Sequence, residues 1–141
     1  MTLFMAHEVF VDTSGFYALL IKKDDRHVAA GRVLHDARKR KRRFVTSDYV
    51  LDETATLLKA RGHGHLLHAF FERVLASQVC RIEWTDPESF HEVQAFFLKH
   101  ADQPWSFTDC VSFRIMKDLR LRDALTKDSH FHEAGFVVLL K

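Results

Sequence analysis

Cysteine is scarce in this chain. Its two residues, Cys80 and Cys110, stand alone in the sequence, with neither the spacing of a metal site nor the density of a disulfide scaffold. Small buried side chains in a reducing compartment are expected, and a structural disulfide is not. Long hydrophobic runs are lacking too, none approaching the roughly 18 residues of a membrane span. Glu8 and Asp12 interrupt the short apolar segments near the amino terminus, which is not a secretory pattern, so a cytoplasmic location without membrane contact is expected. There is no linker, no internal repeat and, apart from one basic run, no low-complexity segment; residues 1–141 suit a single domain. Excess charge is small as well: a formal net charge of +2 argues against a general polyanion binder.

What the chain does have is 47% hydrophobic residues with a mean hydropathy of −0.17, enough to bury a sizeable core. Val9-Phe10-Val11 reads as a buried strand closed by Asp12, with Thr13-Ser14-Gly15 as a turn and a helix from Phe16 to Ile21. Taken alone, Asp12 either caps that helix or offers a carboxylate at a strand's carboxyl end. Asp24 or Asp25 starts a second helix, whose inner face is traced by Val28, Ala29, Val33, Leu34 and Ala37. Phe44-Val45-Thr46 is a second strand, and Ser47-Asp48 introduces a helix that runs to about Arg61 and ends at Gly62. On a wheel of about 100° per residue, Val50, Leu51, Thr54, Leu57 and Leu58 share one arc. Glu53 lies at its margin and Asp52 nearly opposite, so Glu53 is either an ordinary surface residue or one that reaches a site beside the core.

His63 to Ser77 reads as a further helix with an apolar face of Leu66, Leu67, Phe70, Phe71, Val74 and Leu75. His63, His65 and His68 are not spaced to converge on a metal, apart from the pair His65 and His68, and solvated or locally bonded rings are expected. Cys80 to Trp84 is a third strand; Pro87 opens a helix carrying Phe90, Val93, Phe96, Phe97 and Leu98. The 13 phenylalanines fall mostly at such helical positions and read as core rather than as a base-stacking platform. Ser106 and Asp109 have the spacing of a helix N-cap with an acidic third residue, followed by Val111, Ile115, Met116 and Leu119 on the buried side. Ala124-Leu125-Thr126 is an interior strand with Asp128 just beyond it, and Phe136 to Leu140 closes the sheet.

Strands alternating with helices predict a three-layer α/β/α sandwich around a central parallel sheet. In such a sheet, ligands bind outside the carboxyl ends of the strands. Asp12 and Asp128 follow strands, Asp109 starts a helix and Glu53 flanks one. Two unit charges about 4 Å apart repel by roughly 4 kcal/mol at an effective dielectric of 20, so a cluster of these four must take up protons or cations. Carboxylate oxygens without nearby histidine or cysteine favour magnesium or manganese over zinc. The unbroken run Arg38, Lys39, Arg40, Lys41, Arg42 and Arg43 is either a solvated helix end or a rim for phosphates or an acidic partner.

VFVDTSGFYALL, VLDETATLL and SFTDCVSFRIMKDLRLRDALTKDSHFHEAGF together resemble the PIN-domain nucleases, in particular the compact bacterial ribonuclease toxins of toxin–antitoxin pairs. The resemblance spans essentially the whole chain, and its last block is the most specific part. It implies that Asp12, Glu53, Asp109 and Asp128 form an acidic pocket for one or two Mg2+ or Mn2+ ions, with Ser14 supporting the first acid. It further implies endonucleolytic hydrolysis of single-stranded or looped RNA, a small antitoxin as partner, and a homodimer. Lys127, where relatives often carry a small or apolar residue, either tunes the pocket or faces outward. A haloacid-dehalogenase-like phosphatase needs a second Asp two residues after the first, where this chain has Ser14. A PIN nuclease of RNA maturation without an antitoxin, and a non-catalytic RNA- or protein-binding module, are the remaining alternatives.

Overall fold

A computed structural model describes residues 8–141; the first seven residues, included in the single-domain expectation, lie outside the described part. Five short strands form one sheet: β1 (Val9–Val11), β2 (Phe44–Ser47), β3 (Cys80–Glu83), β4 (Asp123–Leu125) and β5 (Val137–Val138). The spatial order is β3-β2-β1-β4-β5 and every pairing is parallel. Flanking the sheet are α1 (Thr13–Leu20), α2 (His27–Lys39), α3 (Asp48–Ala60), α4 (Leu67–Ala76), α5 (Pro87–Lys99), α6 (Phe107–Asp118) and α7 (Ser129–Glu133). The result is the expected three-layer sandwich. Helix α1 packs on α2 and α3, while α6 packs on α3, α5 and α7. No helix among the described residues is long and apolar enough to cross a membrane.

The strand order locates the working edge. From β1 the chain steps outward to β2 and β3, then returns to the other side of β1 with β4 and steps outward to β5. Connections therefore leave β1 and β4 in opposite directions, and a crevice opens at the carboxyl ends of these two strands. Val9 and Phe10 are completely buried, as are Ala124 and Leu125, so the pair is a fixed floor. Gly15 makes their junction possible. A Cβ there would lie 2.1 Å from the Leu125 carbonyl oxygen, so only glycine lets the first turn of α1 press against the end of β4.

Several expectations change. Thr13-Ser14-Gly15 is not a turn but the first turn of α1. Helix α2 starts at His27 rather than Asp24 or Asp25, because Asp24 accepts a hydrogen bond from the Arg26 backbone and closes a turn. Val28 and Ala29 face solvent, and the inner stripe of α2 begins at Ala30. Residues 63–66 are not α-helical; a 3-10 turn over Gly64–Leu66 leads into α4. Phe71, Leu75, Phe90 and Leu98 are exposed, since α4 and α5 lie at the rim of the sandwich and bury only a narrow stripe built on Phe70, Val74 and Val93. Trp84 falls beyond β3 and is exposed, β4 starts one residue before the predicted strand and stops before Thr126, and β5 is two residues long.

Candidate active site

Asp12 is the first residue past β1 and is 5% exposed. Its side chain does not cap α1; it accepts a hydrogen bond from Thr126 Oγ1 at 2.9 Å. Ser14 Oγ lies 3.0 Å from the same threonine oxygen, and the Lys127 amide donates to Ser14 Oγ at 3.0 Å. A hydroxyl has one proton to give. With the Thr126 proton committed to Asp12, Ser14 must donate to Thr126, and the chain runs Lys127 N–H to Ser14 to Thr126 to Asp12. The Asp128 amide also donates to Thr126 Oγ1, at 3.0 Å. One threonine thus fixes the first carboxylate and the loop that carries the last.

Burial pushes the Asp12 carboxyl up to about 7, against the hydrogen bonds from Thr126 and the Thr13 backbone, and the charges of Glu53 and Asp109 push the same way as burial. Glu53 is tied in through Thr13, whose hydroxyl donates to Glu53 Oε1 at 2.5 Å. Its place on α3 follows from the Ser47 cap, where the side-chain oxygen accepts from the Val50 amide.

Asp109 occupies the third position of a capping box on α6: Ser106 Oγ accepts from the Asp109 amide, and Asp109 Oδ2 accepts from the Ser106 amide. That same Oδ2 is 2.9 Å from Nδ1 of His130, which is also 3.4 Å from Asp128 Oδ1. Asp128 caps α7 by accepting from the His130 amide, and this brings the imidazole back toward both acids. Burial alone would lower the His130 imidazolium; the hydrogen bond to Asp109, together with the charges of Asp128, Asp109 and Glu133, outweighs it and raises the group.

The four predicted acids therefore lie around one crevice in two linked groups. Asp12, Glu53 and Asp128 line a cavity of about 510 Å3 together with Thr13, Ser14 and Lys127. Asp109, Asp128 and His130 offer ligand atoms within 4.8 Å of one another. This donor set fits a divalent cation: the oxygens are hard, and the buried Asp12 carboxyl regains its charge most readily beside a positive ion. His130 and Thr126 were not singled out from the sequence. Both lie in the block ALTKDSHF, but their partners are 21 and 114 residues away. The expectation of acids without a nearby histidine is corrected by His130.

Lys127 is exposed and lines the cavity. The basic run does not. It connects α2 to the start of β2, and the parallel register sets Phe44 and Asp123 beside Val9, at the amino ends of strands whose carboxyl ends carry the acids. Arg42 turns inward there and pairs with Asp123 at 2.9 Å, so it is no surface cation; Arg38, Lys39, Arg40, Lys41 and Arg43 stay exposed. Of the histidines, His63 meets the Tyr17 hydroxyl at 3.3 Å and His68 meets Glu72 at 3.2 Å. Cys80 and Cys110 are free thiols, and burial pushes both up to about 11.

Residues 9–137 match the family model described as PIN domain. The chain is 33% identical over 129 residues, 92% of its length and 95% of the relative's, to the 23S rRNA-specific endonuclease VapC20 of Mycobacterium tuberculosis. Over 123 residues, 86% of the chain and 77% of the relative, it is 28% identical to the VapC ribonuclease of Archaeoglobus fulgidus. Among solved structures it superposes with a TM-score of 0.81 and 31% identity on the crystal structure of Mycobacterium tuberculosis VapC20, a sarcin-ricin loop cleaving toxin, covering 92% of this chain and 97% of that one. Sheet order, acid placement and these likenesses agree: the chain belongs to the PIN domain family.

Proposed function

We propose that this protein is a divalent-metal-dependent endoribonuclease, acting as a single domain in the cytoplasm, that hydrolyses phosphodiester bonds in structured RNA loops. The observation that carries the reading is the buried Asp12 carboxyl, held by Thr126 at 2.9 Å in a cavity it shares with Glu53 and Asp128. Asp12, Glu53, Asp109 and Asp128 would hold Mg2+ or Mn2+, the hard cations that carboxylate oxygens favour. When bound, such an ion polarises the phosphodiester and lowers the pKa of water. The protein's own residues supply orientation. Thr126, held in turn by Ser14, fixes one Asp12 oxygen, and Thr13 turns Glu53 toward the cavity. The capping box occupies one Asp109 oxygen and leaves the other available.

The likeness to a 23S rRNA-specific endonuclease and to a sarcin-ricin loop cleaving toxin makes a loop of 23S rRNA the first substrate to try and supports the toxin role; a small antitoxin as partner and a homodimer as the assembly are part of the same proposal. The test is incubation of the purified protein with a hairpin bearing the 23S sarcin–ricin sequence and with a mixed RNA pool, in Mg2+, Mn2+ or chelator, with the cut ends mapped. Metal-dependent cuts leaving 5′-phosphates are expected. Cutting that persists in chelator, or no cutting of any RNA, would overturn the reading.

A further inference from the structure

The same cavity that holds the acids also holds cations. Arg26, Arg61 and Lys127 line it, and among the described residues none of the three forms an ion pair. Each is held in place from behind. Arg26 sits at the N-cap of α2, where its amide is fixed by Asp24 at 2.8 Å, and its buried Nε has no acceptor. Arg61 follows α3, with its guanidinium 5.1 Å from the centre of the Tyr17 ring; Tyr17 is in turn braced by His63. Lys127 is set by the bond from its amide to Ser14. Burying a guanidinium nitrogen without an acceptor costs free energy, and that cost falls when an anion with several acceptor oxygens enters. A phosphate fits, because the planar guanidinium presents paired donors to it.

The cavity also continues. A neighbouring one of about 700 Å3 shares Lys127 and Ser129 with it and adds His132 and Lys141, so a chain of phosphates leaving the acids past Lys127 meets further basic groups. The run Arg38 to Arg43 lies at the opposite edge of the sheet and is not on this path.

We propose that Arg26, Arg61 and Lys127 form a phosphate-binding subsite that grips the RNA backbone on either side of the bond facing the carboxylates. The proposal rests on the ribonuclease reading for its ligand, but it is tested without cleavage. Binding of a fluorescent RNA hairpin to the full chain is measured in chelator at increasing salt. For single strands, each phosphate contact contributes about 0.7 to the slope of log affinity against log salt. R61A and K127A are each expected to lower the slope by about that amount and weaken binding at low salt about tenfold, and R26A R61A by about twice the slope. Lys99→Ala, on the exposed side of α5, is the control and leaves both unchanged. Mn2+ binding, followed by calorimetry, stays within twofold in R61A. Should R26A fail to fold, R26K keeps the charge but loses the fork, and is expected to retain the slope while weakening binding.

An unchanged slope in R61A and K127A, or an equal loss in the Lys99 control, overturns the subsite even if the enzyme cuts RNA. A lost slope in a protein that cuts no RNA keeps the subsite and overturns the nuclease reading.

Discussion

The Thr126 hydroxyl donates to Asp12 across 114 residues of sequence at 2.9 Å, and the same oxygen accepts from the Asp128 amide. Two acids from opposite sides of the topological switch are thus held by a single side chain. Removing that hydroxyl leaves a buried carboxylate without its donor, which costs about 1–3 kcal/mol. T126V is therefore expected to lower kcat for RNA cleavage at least tenfold and to move the acidic limb of the pH–rate profile upward, because the bond from Thr126 is the largest influence holding the Asp12 carboxyl down. T126S is expected to restore both. A T126V enzyme with an unshifted profile would show that the hydroxyl does not set the charge of Asp12.

Asp12 itself carries a pH signature. Its folded-state carboxyl titrates near 7 instead of the usual 3.8, so the folded protein holds a proton that the unfolded chain has already released. Without metal, stability is therefore lost as pH rises from about 4 through 7. Asp12→Asn removes this loss. In chelator the variant is expected to match the wild type near pH 4 and to exceed it by about 4 kcal/mol at pH 8, read by urea denaturation. Saturating Mn2+ is expected to close the gap for the wild type while Asp12→Asn cuts no RNA. A gap that does not grow with pH would remove the case for a buried, protonated Asp12.

Glu53 offers a contrast, since it is an exposed residue whose oxygen is engaged by Thr13. E53Q keeps an acceptor for that hydroxyl but loses the charge. A drop in kcat of at least tenfold with a melting temperature within about 2 °C of the wild type is expected, because surface substitutions usually stay within about 0.5 kcal/mol. A large fall in melting temperature with full activity would place Glu53 in the scaffold rather than in the acid cluster.

Gly15 has no such latitude. Any side chain there meets the Leu125 carbonyl, so Gly15→Ala must push α1 away from β4 or tilt its first turn. A loss of about 3 kcal/mol or more is expected, with Asp12, Thr13 and Ser14 all displaced. Denaturation and metal titration measured on the same sample check this, and an unperturbed variant would mean that the α1–β4 contact is looser than the structure shows.

The alternation of elements was legible because the apolar runs are short and well bounded. Ser47 and Ser106 announce their helices and do cap them, and Pro87 opens a helix whose cap is Asp86. All four acids were legible for the same reason: each stands at the end of an element or on the flank of one. Partners were not. His130 and Asp109, Arg42 and Asp123, and Thr126 and Asp12 are joined only by the order in which strands are laid side by side, and one sequence does not contain that order. Burial was overestimated for Leu75 and Leu98, which are 55% and 64% exposed. Helical periodicity marks every apolar residue on a face, whereas a helix at the rim covers only its central stripe. The place of the basic run was not legible either, since charge density says nothing about which edge of the sheet a segment occupies.

The central position of β1 has a kinetic side. Its two neighbours are β2 and β4, and joining it to β4 means closing a loop of more than a hundred residues, a slow event compared with forming any of the helices. Maturation of the acidic crevice must therefore lag behind local structure during refolding. Until β4 docks, Asp12 is an ordinary solvated aspartate, and whatever the finished crevice does to RNA has to wait for that step.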